Sequence, residues 1–388
     1  MQAAGRIGFS RLLTRYAIGA NSLAAADEAI QLTPGDPDAH RARAIVLNRL
    51  HRSTEAEASL ETATKLRPLQ AAQWLELGTT REELDDDEGA LAAFDQAVRC
   101  APYYGETHWQ RGNLLLRLGR YDDAFADLRQ AAASNGKFLP NVIDLAWGLT
   151  KGDVAKTEAL LQINNDHDRF EFARFLAGKG ESQAVFAQTR LLNTPLSDEN
   201  TQELTRLLVA QKDFNVAYHL AGSDSGERIV NGGFEEPLLL NNSGPGWVLA
   251  QSPGSTKLAL DVSDKAGGAR SLQVSFGGDW DASLRLLSQT IVVQRGQKYR
   301  LSFAVKTKEL VTGGPPRIVL TDATKDQILA QSEAFPQATN GWQEMKIEFT
   351  APATSEAVVV SLRRDNCPSA PCPIFGVAWL DEFALQKL

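Results

Sequence analysis

The stretch Trp74–Pro102, WLELGTTREELDDDEGALAAFDQAVRCAP, contains the clearest helical pattern in the first half of this chain. Its apolar and small residues recur at intervals of three and four, first around Gly78 and again around Phe94, which is the period of a helix with one packed face. The polar run DDDE at 85–88 separates the two patterns and supplies a cap and an acidic first turn for the second helix. Pro102 cannot continue the helical hydrogen-bond ladder. The stretch therefore predicts two helices joined by a short turn.

The same pattern returns every 34 residues along the first part of the chain. The columns that keep this interval are Pro34, Pro68 and Pro102; Ala44, Gly78 and Gly112; Ala56, Ala90 and Ala124; Leu60, Phe94 and Leu128; and Ala29, Ala63, Ala97 and Ala131. A fixed period of this length is the signature of a solenoid, in which each helix pair buries its apolar face on its neighbours.

The repeated unit resembles the tetratricopeptide repeat family. The residues that carry the resemblance are Trp74, Leu77, Gly78, Ala90, Phe94, Ala97 and Pro102, nearly the whole family pattern in one unit. Residues 3–138 are covered well, although His108-Trp109 displaces the next tryptophan by one position and Gly136 replaces a terminal proline. From 139 to 222 the period degrades into alternating short helical segments, which we interpret as divergent helix pairs that continue the solenoid.

The resemblance implies a superhelix with a long concave surface, and such surfaces hold peptides or partner proteins. We expect the docking residues among polar side chains on the first helices of the pairs. These candidates are Asn48, Arg81, Gln110, Asn113 and Arg117. The alternative is that the array is a spacer and that these side chains are only solvated.

Beyond a small polar link at 221–226, strand patterns replace the helical ones. The predicted strands are Leu258–Val262, Ser271–Phe276, Ser288–Val293, Tyr299–Lys306, Ile318–Thr321, Gln343–Thr350, Ala357–Arg363 and Gly376–Leu385. Turn signals separate them, among them Gly277-Gly278 and Asn340-Gly341. The predicted fold class is therefore multidomain: an all-α repeat superhelix at 1–222, with 139–222 divergent, followed by an all-β sandwich of the jelly-roll kind at 223–388.

The order of short motifs in this half looks like the galactose-binding-like jelly roll of carbohydrate-binding modules. The motifs are Asn231-Gly232-Gly233-Phe234-Glu235, Gly246-Trp247, Gly268–Val274, Ser288-Gln289-Thr290, Tyr299–Phe303, Gly341-Trp342-Gln343 and Trp379–Leu385. The resemblance covers residues 228–386 and implies non-catalytic capture of a glycan. It also implies a structural calcium ion near the joined chain ends, with Glu235 and Asp381 at the acidic positions. A capped or solvated carboxylate pair is the alternative for these two residues.

Sugar rings present apolar C–H faces, so their binding sites use aromatic platforms with polar groups at the edges. Trp280 is the first candidate platform because it lies between Asp279 and Asp281 in a glycine-rich loop, where the carboxylates could accept hydrogen bonds from hydroxyl groups. Trp379 belongs to an alternating strand and could line the same face. The alternative for Trp280 is packing against its own sheet edge.

Composition and missing motifs restrict the function further. The 388 residues carry a formal net charge of -8, which disfavours the phosphate backbone of nucleic acid as the main ligand. No apolar run approaches the ~18 residues that a membrane span needs, and hydrolytic, phosphate-loop and dinucleotide motifs are missing. The second half contains no histidine, the usual general base. We therefore expect a binding protein rather than an enzyme, with no required cofactor.

The cysteines bear on location. Cys367 and Cys372 are close enough in sequence to close a small disulfide loop, although such a pair can also stay reduced. A disulfide favours an oxidising compartment, so the periplasm or the extracellular space is the expected location. The N-terminus lacks a clean apolar segment with a cleavage site, so we expect any export signal or anchor to lie outside this chain and residue 1 not to be the natural start.

Together these features predict a two-part binding protein, in which helical repeats dock a protein and a β-sandwich engages a glycan. Such a pairing would suit assembly, export or retention of a bacterial surface polysaccharide. One rival hypothesis is a protein-interaction protein whose sandwich binds no sugar. The other is a glycoside hydrolase with an unrecognised carboxylate pair.

Overall fold

The computed structural model describes residues 2–222, 227–238, 246–250, 254–367 and 371–388. Contacts divide the chain into two compact units, Met1–Asn164 and Asn165–Leu388. The predicted boundary at residue 222 follows a different criterion, the change from helices to strands, and stays a prediction.

The first unit is built from consecutive helices that pack in pairs. Their bounds are α1 Gln2–Ala20, α2 Leu23–Leu32, α3 Pro37–Arg49, α4 Ser53–Leu66, α5 Ala71–Glu83, α6 Asp87–Cys100, α7 Gly105–Arg117, α8 Tyr121–Ser134, α9 Leu139–Leu149 and α10 Val154–Leu161. A 3₁₀ turn at Gly136–Phe138 precedes α9.

Small residues set the close approach of the two helices within a pair. A Cβ at Gly78 of α5 would lie 2.4 Å from the Phe94 ring of α6, so the pair has room for glycine alone. At the equivalent Gly112 of α7, a Cβ would lie 3.0 Å from Leu128 of α8. The column of Ala44, Gly78 and Gly112 therefore marks a contact between the helices of a pair.

The turn within a pair has a repeated backbone conformation. His51, Asp85 and Gly119 occupy the same position in successive units, and their φ angles are 57°, 59° and 74°, the left-handed conformation that ends many helices. Asp86 then caps α6 by accepting a hydrogen bond from the Gly89 amide at 3.0 Å. The predicted helix pairs and tight turns are confirmed in these repeats.

The second unit begins with four helices from the stretch predicted as divergent pairs. Their bounds are α11 Asp166–Lys179, α12 Ser182–Thr189, α13 Asp198–Ala210 and α14 Phe214–Leu220. Two contacts join α14 and the turn before it to the strands of the same unit: Lys212 Nζ donates to the Thr324 carbonyl at 2.7 Å, and the Tyr218 side chain is hydrogen-bonded to Thr290.

The strands that follow form two antiparallel five-stranded sheets. Their bounds are β1 Val248–Leu249, β2 Lys257–Asp261, β3 Ser271–Gly278, β4 Leu287–Val292, β5 Lys298–Thr312, β6 Pro316–Asp322, β7 Ile328–Gln331, β8 Ala338–Thr350, β9 Ala357–Arg364 and β10 Ile374–Lys387. The first sheet has the order β1-β4-β9-β6-β7 and the second sheet the order β2-β3-β10-β5-β8. Apolar side chains of both sheets share one core, including Ile318 and Val360 from the first and Phe303 and Leu380 from the second. The predicted fold class, helical repeats followed by an all-β sandwich, is confirmed.

Some strand boundaries differ from the prediction. Asn340-Gly341, predicted as a turn, lies inside β8, where Asn340 pairs with Thr307 next to register shifts. β10 begins before the predicted Gly376 because a second register shift, between Phe375 and Val377, lets pairing continue through a bulge. β1 and β7 are too short to give an alternating pattern and were not predicted.

The open question about the cysteine pair is answered by the structure: Cys367 and Cys372 form a disulfide with a Cα separation of 5.6 Å. Cys100 is a free, half-buried cysteine at the end of α6. Within the described ranges, no helix combines the length and the apolar character that crossing a bilayer requires.

Candidate ligand-binding surfaces

Strand β10 presents alternate side chains to the two faces of the second sheet. Ile374, Ala378 and Leu380 lie in the core between the sheets. Phe375 and Trp379 therefore point to the outer face of this sheet. On the first sheet, by contrast, the contact of Tyr218 with Thr290 covers outward-facing surface near β4.

Phe375 is the exposed aromatic side chain of this outer face, with 52% of its surface accessible. It is paired in register with Val311 of β5, which is 63% exposed. The ring also lies over glycine, because a Cβ at Gly278 of β3 would be 3.3 Å from it. We call Phe375, Val311, Lys306 and Trp379 the platform face. Its apolar end has the flat, accessible character on which the C–H face of a sugar ring stacks.

Trp379 lies on this face but is almost fully covered. Only 5% of its surface is exposed, because Lys306 Nζ lies 5.3 Å from the ring centre. Its indole N–H donates to Asp261 Oδ2 at 2.8 Å, and this hydrogen bond lowers the pKa of Asp261. Gln273 donates to the same oxygen at 3.0 Å. The result is a polar network on the same sheet, in which the indole and amide donors are both used on Asp261.

The expectation that Trp280 is an exposed platform is wrong. Its side chain is 5% exposed and belongs to the core, where it stacks on Phe276 with ring centres 5.6 Å apart. Its indole N–H donates to the Leu284 carbonyl at 3.2 Å. The φ of 119° at Gly278 redirects the chain after β3, so that the ring turns inward.

The two carboxylates beside Trp280 have separate surroundings. Asp281 accepts hydrogen bonds from the Ser283 amide at 2.9 Å and from its hydroxyl at 2.8 Å, and these bonds lower the pKa of Asp281. It therefore acts as a turn cap. Asp279 is exposed, and its backbone is tied to Ser255. With Trp280 inside, these carboxylates do not flank an open aromatic ring.

Glu235 and Asp381 are brought together, as the resemblance implied. Both line a cavity of about 620 Å³, and a Cβ on Gly233 would lie 3.8 Å from each side chain. Asp381 is buried and accepts hydrogen bonds from the amides of Ala266 at 2.8 Å and Gly267 at 3.1 Å.

The groups around Glu235 and Asp381 can be compared with the oxygen ligands that a calcium ion prefers. Glu235 accepts from the Ala269 amide at 2.7 Å, and a Cβ at Gly268 would lie 1.8 Å from its carboxylate. The glycine turn thus forms a close cradle around two hard-oxygen donors. Across the described ranges, no cluster of three or more His, Cys, Asp or Glu residues suits a metal ion. The donor set therefore fits calcium only if backbone carbonyls complete it.

On the repeats, the first helices of three successive pairs line one small cavity. It has a volume of about 170 Å³ and is bounded by Asn48 of α3, by Leu75, Glu76 and Thr79 of α5, and by Glu106 and Gln110 of α7. Two of the predicted docking residues, Asn48 and Gln110, therefore share one site.

Several polar groups of this cavity already form hydrogen bonds within the protein. Asn48 donates to Thr80 Oγ1 at 2.8 Å, while its buried Oδ1 has no protein partner. Gln110 donates to Glu106 at 2.8 Å. Glu76 is neutralised by Arg41 at 2.8 Å, and this hydrogen bond raises the pKa of Arg41. The unpaired Oδ1 of Asn48 is itself buried, so the cavity offers its polar groups mainly through Gln110 and Glu106.

The other three predicted docking residues are engaged within the array. Arg81 bridges Glu57 at 2.9 Å and Glu61 at 2.8 Å on α4, which ties neighbouring helices together. Arg117 pairs with Glu82. Asn113 donates to the carbonyl four residues earlier in its own helix.

Comparison with protein-family models gives two kinds of match. Residues 226–368 match a carbohydrate binding domain, and residues 41–105 and 105–138 match the tetratricopeptide repeat. Among curated proteins, Protein FlbA of Caulobacter vibrioides is 32% identical over 103 residues, which cover 26% of this chain and 17% of FlbA. The chain thus spans about a sixth of the length of this relative.

Solved structures give matches to each part. YrrB, described as a TPR protein with an unusual peptide-binding site, is 17% identical, covering 52% of this chain and 91% of its own, with a TM-score of 0.29. A structure described as "CBM4 structure and function" is 16% identical, covering 41% of this chain and 99% of its own, with a TM-score of 0.31.

Proposed function

Because this chain carries tetratricopeptide repeats in its N-terminal region and a carbohydrate-binding domain at residues 226–368, we propose that it is a non-catalytic adaptor that captures a glycan on the sandwich and docks a protein on the repeats. Both matched domains are of non-catalytic kinds. Recognition without turnover is the function that this combination supports best.

The glycan site of this proposal is the platform face. The observation that carries it is the exposed Phe375 ring beside exposed Val311, since an accessible aromatic on a flat sheet otherwise has an unfavourable contact with water. The network of Trp379, Asp261 and Gln273 holds the neighbouring part of this face in place through its own hydrogen bonds.

The protein partner docks at the cavity between Asn48 and Gln110. Its lining joins an apolar wall, Leu75, to the Gln110 amide and the Glu106 carboxylate, groups that can form hydrogen bonds with a peptide backbone. These features support an extended peptide segment as the ligand.

The biological setting that we propose is the assembly, export or retention of a bacterial surface polysaccharide, in the periplasm or outside the cell. The local similarity to a Caulobacter protein supports a bacterial setting. The Cys367–Cys372 disulfide supports an oxidising compartment.

We also propose that Glu235 and Asp381 hold a structural calcium ion, with backbone carbonyls as the further ligands. When bound, the ion would neutralise the buried Asp381 carboxylate and link the first and last segments of the sandwich. Its contribution would be to stability and not to chemistry.

Affinity electrophoresis of the full chain tests the glycan site. Native gels containing β-glucan, xylan, mannan or a bacterial exopolysaccharide retard a protein in proportion to its affinity. At least one polymer should retard the wild type, and Phe375→Ala should weaken that retardation by about tenfold, the equivalent of ~1.4 kcal/mol of stacking. Ile328→Ala is the matched control, because Ile328 is similarly exposed but lies on β7 of the first sheet.

The rival functions predict other outcomes. Retardation that is equal in the wild type and Phe375→Ala would contradict the platform face. Free migration in every polymer would favour a protein-interaction role alone. Release of reducing ends from a polymer would favour a hydrolase.

A further inference from the structure

Arg364, at the end of β9, is a buried arginine beside the disulfide, with 5% of its surface exposed. Its Nε donates to the Gly314 carbonyl at 3.2 Å. Its Nη1 donates to the carbonyls of Trp280 at 3.1 Å and Cys372 at 3.0 Å. The guanidinium group therefore connects the sandwich core to the disulfide loop.

The remaining donor atom of Arg364 faces a hydroxyl and sulfur. Nη2 lies 3.0 Å from Thr312 Oγ1, 2.7 Å from Cys372 Sγ and 3.8 Å from Cys367 Sγ. Cys372 Sγ therefore lies closer to the positive charge of Arg364 than Cys367 Sγ does.

The hydrogen bonds of Arg364 are complete, but its charge is not balanced. All its acceptors named above are neutral, and in the described part of the chain no carboxylate forms a salt bridge with it. The adjacent Asp365 is paired with Arg317 instead. Burial lowers the pKa of Arg364, yet a guanidinium remains charged at physiological pH. A buried charge without a counter-ion is costly, so a negative charge arising next to it is stabilised.

We propose that Cys372 is a redox-active cysteine whose thiolate is held by Arg364, so that the Cys367–Cys372 disulfide opens in one direction, by attack of a thiol on Cys367. The reductant is a dithiol, either a small molecule or a dithiol protein. This proposal does not depend on glycan binding.

The exchange proceeds in two steps. A thiolate of the dithiol attacks Cys367 Sγ and forms a mixed disulfide, while the Cys367–Cys372 bond breaks and its electron pair leaves on Cys372 Sγ as a thiolate beside Arg364. The second thiol of the dithiol loses its proton to water and attacks the dithiol sulfur bound to Cys367. Cys367 then leaves and takes a proton from water. The dithiol is oxidised to a cyclic disulfide, and the protein disulfide is reduced by two electrons.

The position of the Arg364 guanidinium explains why the thiol attacks Cys367 and why Cys372 leaves as the thiolate. A leaving thiolate of lower pKa departs faster in thiol–disulfide exchange, and a neighbouring arginine lowers a thiol's pKa. Cys372 is the sulfur closer to Arg364, so the bond should break toward it. Both cysteines are half-buried, which leaves Cys367 accessible to attack.

Mapping the first exchange step tests the proposal. The folded full chain is treated with glutathione, a monothiol, in the presence of iodoacetamide, which alkylates the released thiol. Tandem mass spectrometry then locates glutathione and the alkyl group on the peptide that contains both cysteines. We expect glutathione on Cys367 and the alkyl group on Cys372, in about threefold excess over the reverse for each pKa unit between the two thiols.

Two variants provide the comparison. Arg364→Met should abolish the preference and slow the opening, provided that circular dichroism shows the strands intact. Arg317→Met, which removes a guanidinium on the same sheet that is paired with Asp365, should keep the preference. The positions of glutathione and the alkyl group in the wild type show which cysteine is attacked, even if Arg364→Met fails to fold. Equal labelling of the two cysteines, glutathione mainly on Cys372, or a disulfide that resists reduction until the protein unfolds would each overturn the proposal.

Discussion

Two aromatic residues of the sandwich differ in role, since one packs in the core and the other lies on the surface. Trp280 is stacked on Phe276 in the core and bonded through its indole N–H, whereas Phe375 lies on the outer face with half of its surface accessible. A ring that fills a core contributes to stability, while a ring on the surface contributes to binding.

Substitution of these two residues should separate the two effects. Trp280→Ala should lower the free energy of unfolding of the sandwich by about 3–5 kcal/mol, because it leaves a large cavity. Phe375→Ala should lower it by less than about 1 kcal/mol. Pulse proteolysis in urea measures both changes. Similar urea midpoints for the two variants would contradict the assignment of Trp280 to the core.

Tyr299 gives the sandwich a pH dependence at alkaline pH. Burial raises the pKa of Tyr299 to about 12, while an unfolded tyrosine titrates near pH 10. The folded state therefore holds this proton more tightly, and the stability it contributes is present below about pH 10 and is lost as the pH rises toward about 12.

An alkaline titration checks this expectation. Phenolate absorbance of the folded chain should include a late-titrating component that Tyr299→Phe removes, and the urea midpoint of the wild type should fall between pH 10 and 12. Tyr103→Phe is the control, because Tyr103 is highly exposed. If the late-titrating component persisted in both variants, Tyr299 would not be its source and the expectation would be wrong.

Sequence patterns identified the packed residues of the repeats but not the exposed ring of the sandwich. Gly78 and Phe94 repeat at a fixed interval because each unit makes the same local contact, so one chain suffices to detect them. Phe375 precedes a bulge at Gly376, where φ is 105°, and the predicted strand began after it. Which face a residue occupies near a bulge depends on pairing with β5 and β3, which alternation within one strand does not record.

At the level of elements, the turn at 266–269 joins the first and last segments of the sandwich. Its amides bind both Glu235 and Asp381, carboxylates that lie far apart in the sequence. The sequence indicated this pair only through the resemblance, because the contact depends on how the chain ends meet.

Calcium should stabilise this junction. At a calcium concentration about a hundredfold above Kd, the free energy of unfolding should rise by about 2.7 kcal/mol, and EDTA should reverse the gain. Differential scanning calorimetry of the full chain measures the shift in Tm.

Matched variants localise the effect. Asp381→Asn and Glu235→Gln should lose the calcium-dependent shift, even where they change the Tm of the metal-free protein. Glu344→Gln should retain it, because Glu344 lines the same cavity but pairs with Lys346. A calcium shift of equal size in all three variants would place the ion elsewhere.

At the level of the whole molecule, two proposed kinds of recognition belong to two separate surfaces. The cavity at Asn48 and Gln110 lies in the first compact unit, and the platform face lies in the second. Their ligands differ in chemistry, since one surface offers amide groups along helices and the other an aromatic ring on a sheet.

The two activities should therefore respond to different substitutions. Asn48→Ala combined with Gln110→Ala should reduce binding of peptides selected on the wild type by about tenfold or more, since two hydrogen-bonding groups are lost, and should leave polysaccharide retardation unchanged. Phe375→Ala should reduce polysaccharide retardation and leave peptide binding unchanged. Peptide phage display followed by fluorescence anisotropy provides the first readout and affinity electrophoresis the second.

The control for the repeats is Thr62→Ala on α4, whose side chain bonds to its own helix and lies outside the cavity. Loss of both activities in either variant would contradict independent surfaces. Peptide binding that survives the double substitution would place the docking site elsewhere on the repeats.

Binding of a glycan to the outer face of the second sheet through Phe375 should be visible by hydrogen–deuterium exchange. The full chain is labelled with and without the polysaccharide that retards it most. Slower exchange in the segments around Phe375–Trp379 and Lys306–Val311, absent in Phe375→Ala and with no change in α3, α5 and α7, is the result that we predict. Protection centred on the first sheet or on the repeats, with the segment around Phe375 unchanged, would contradict the claim.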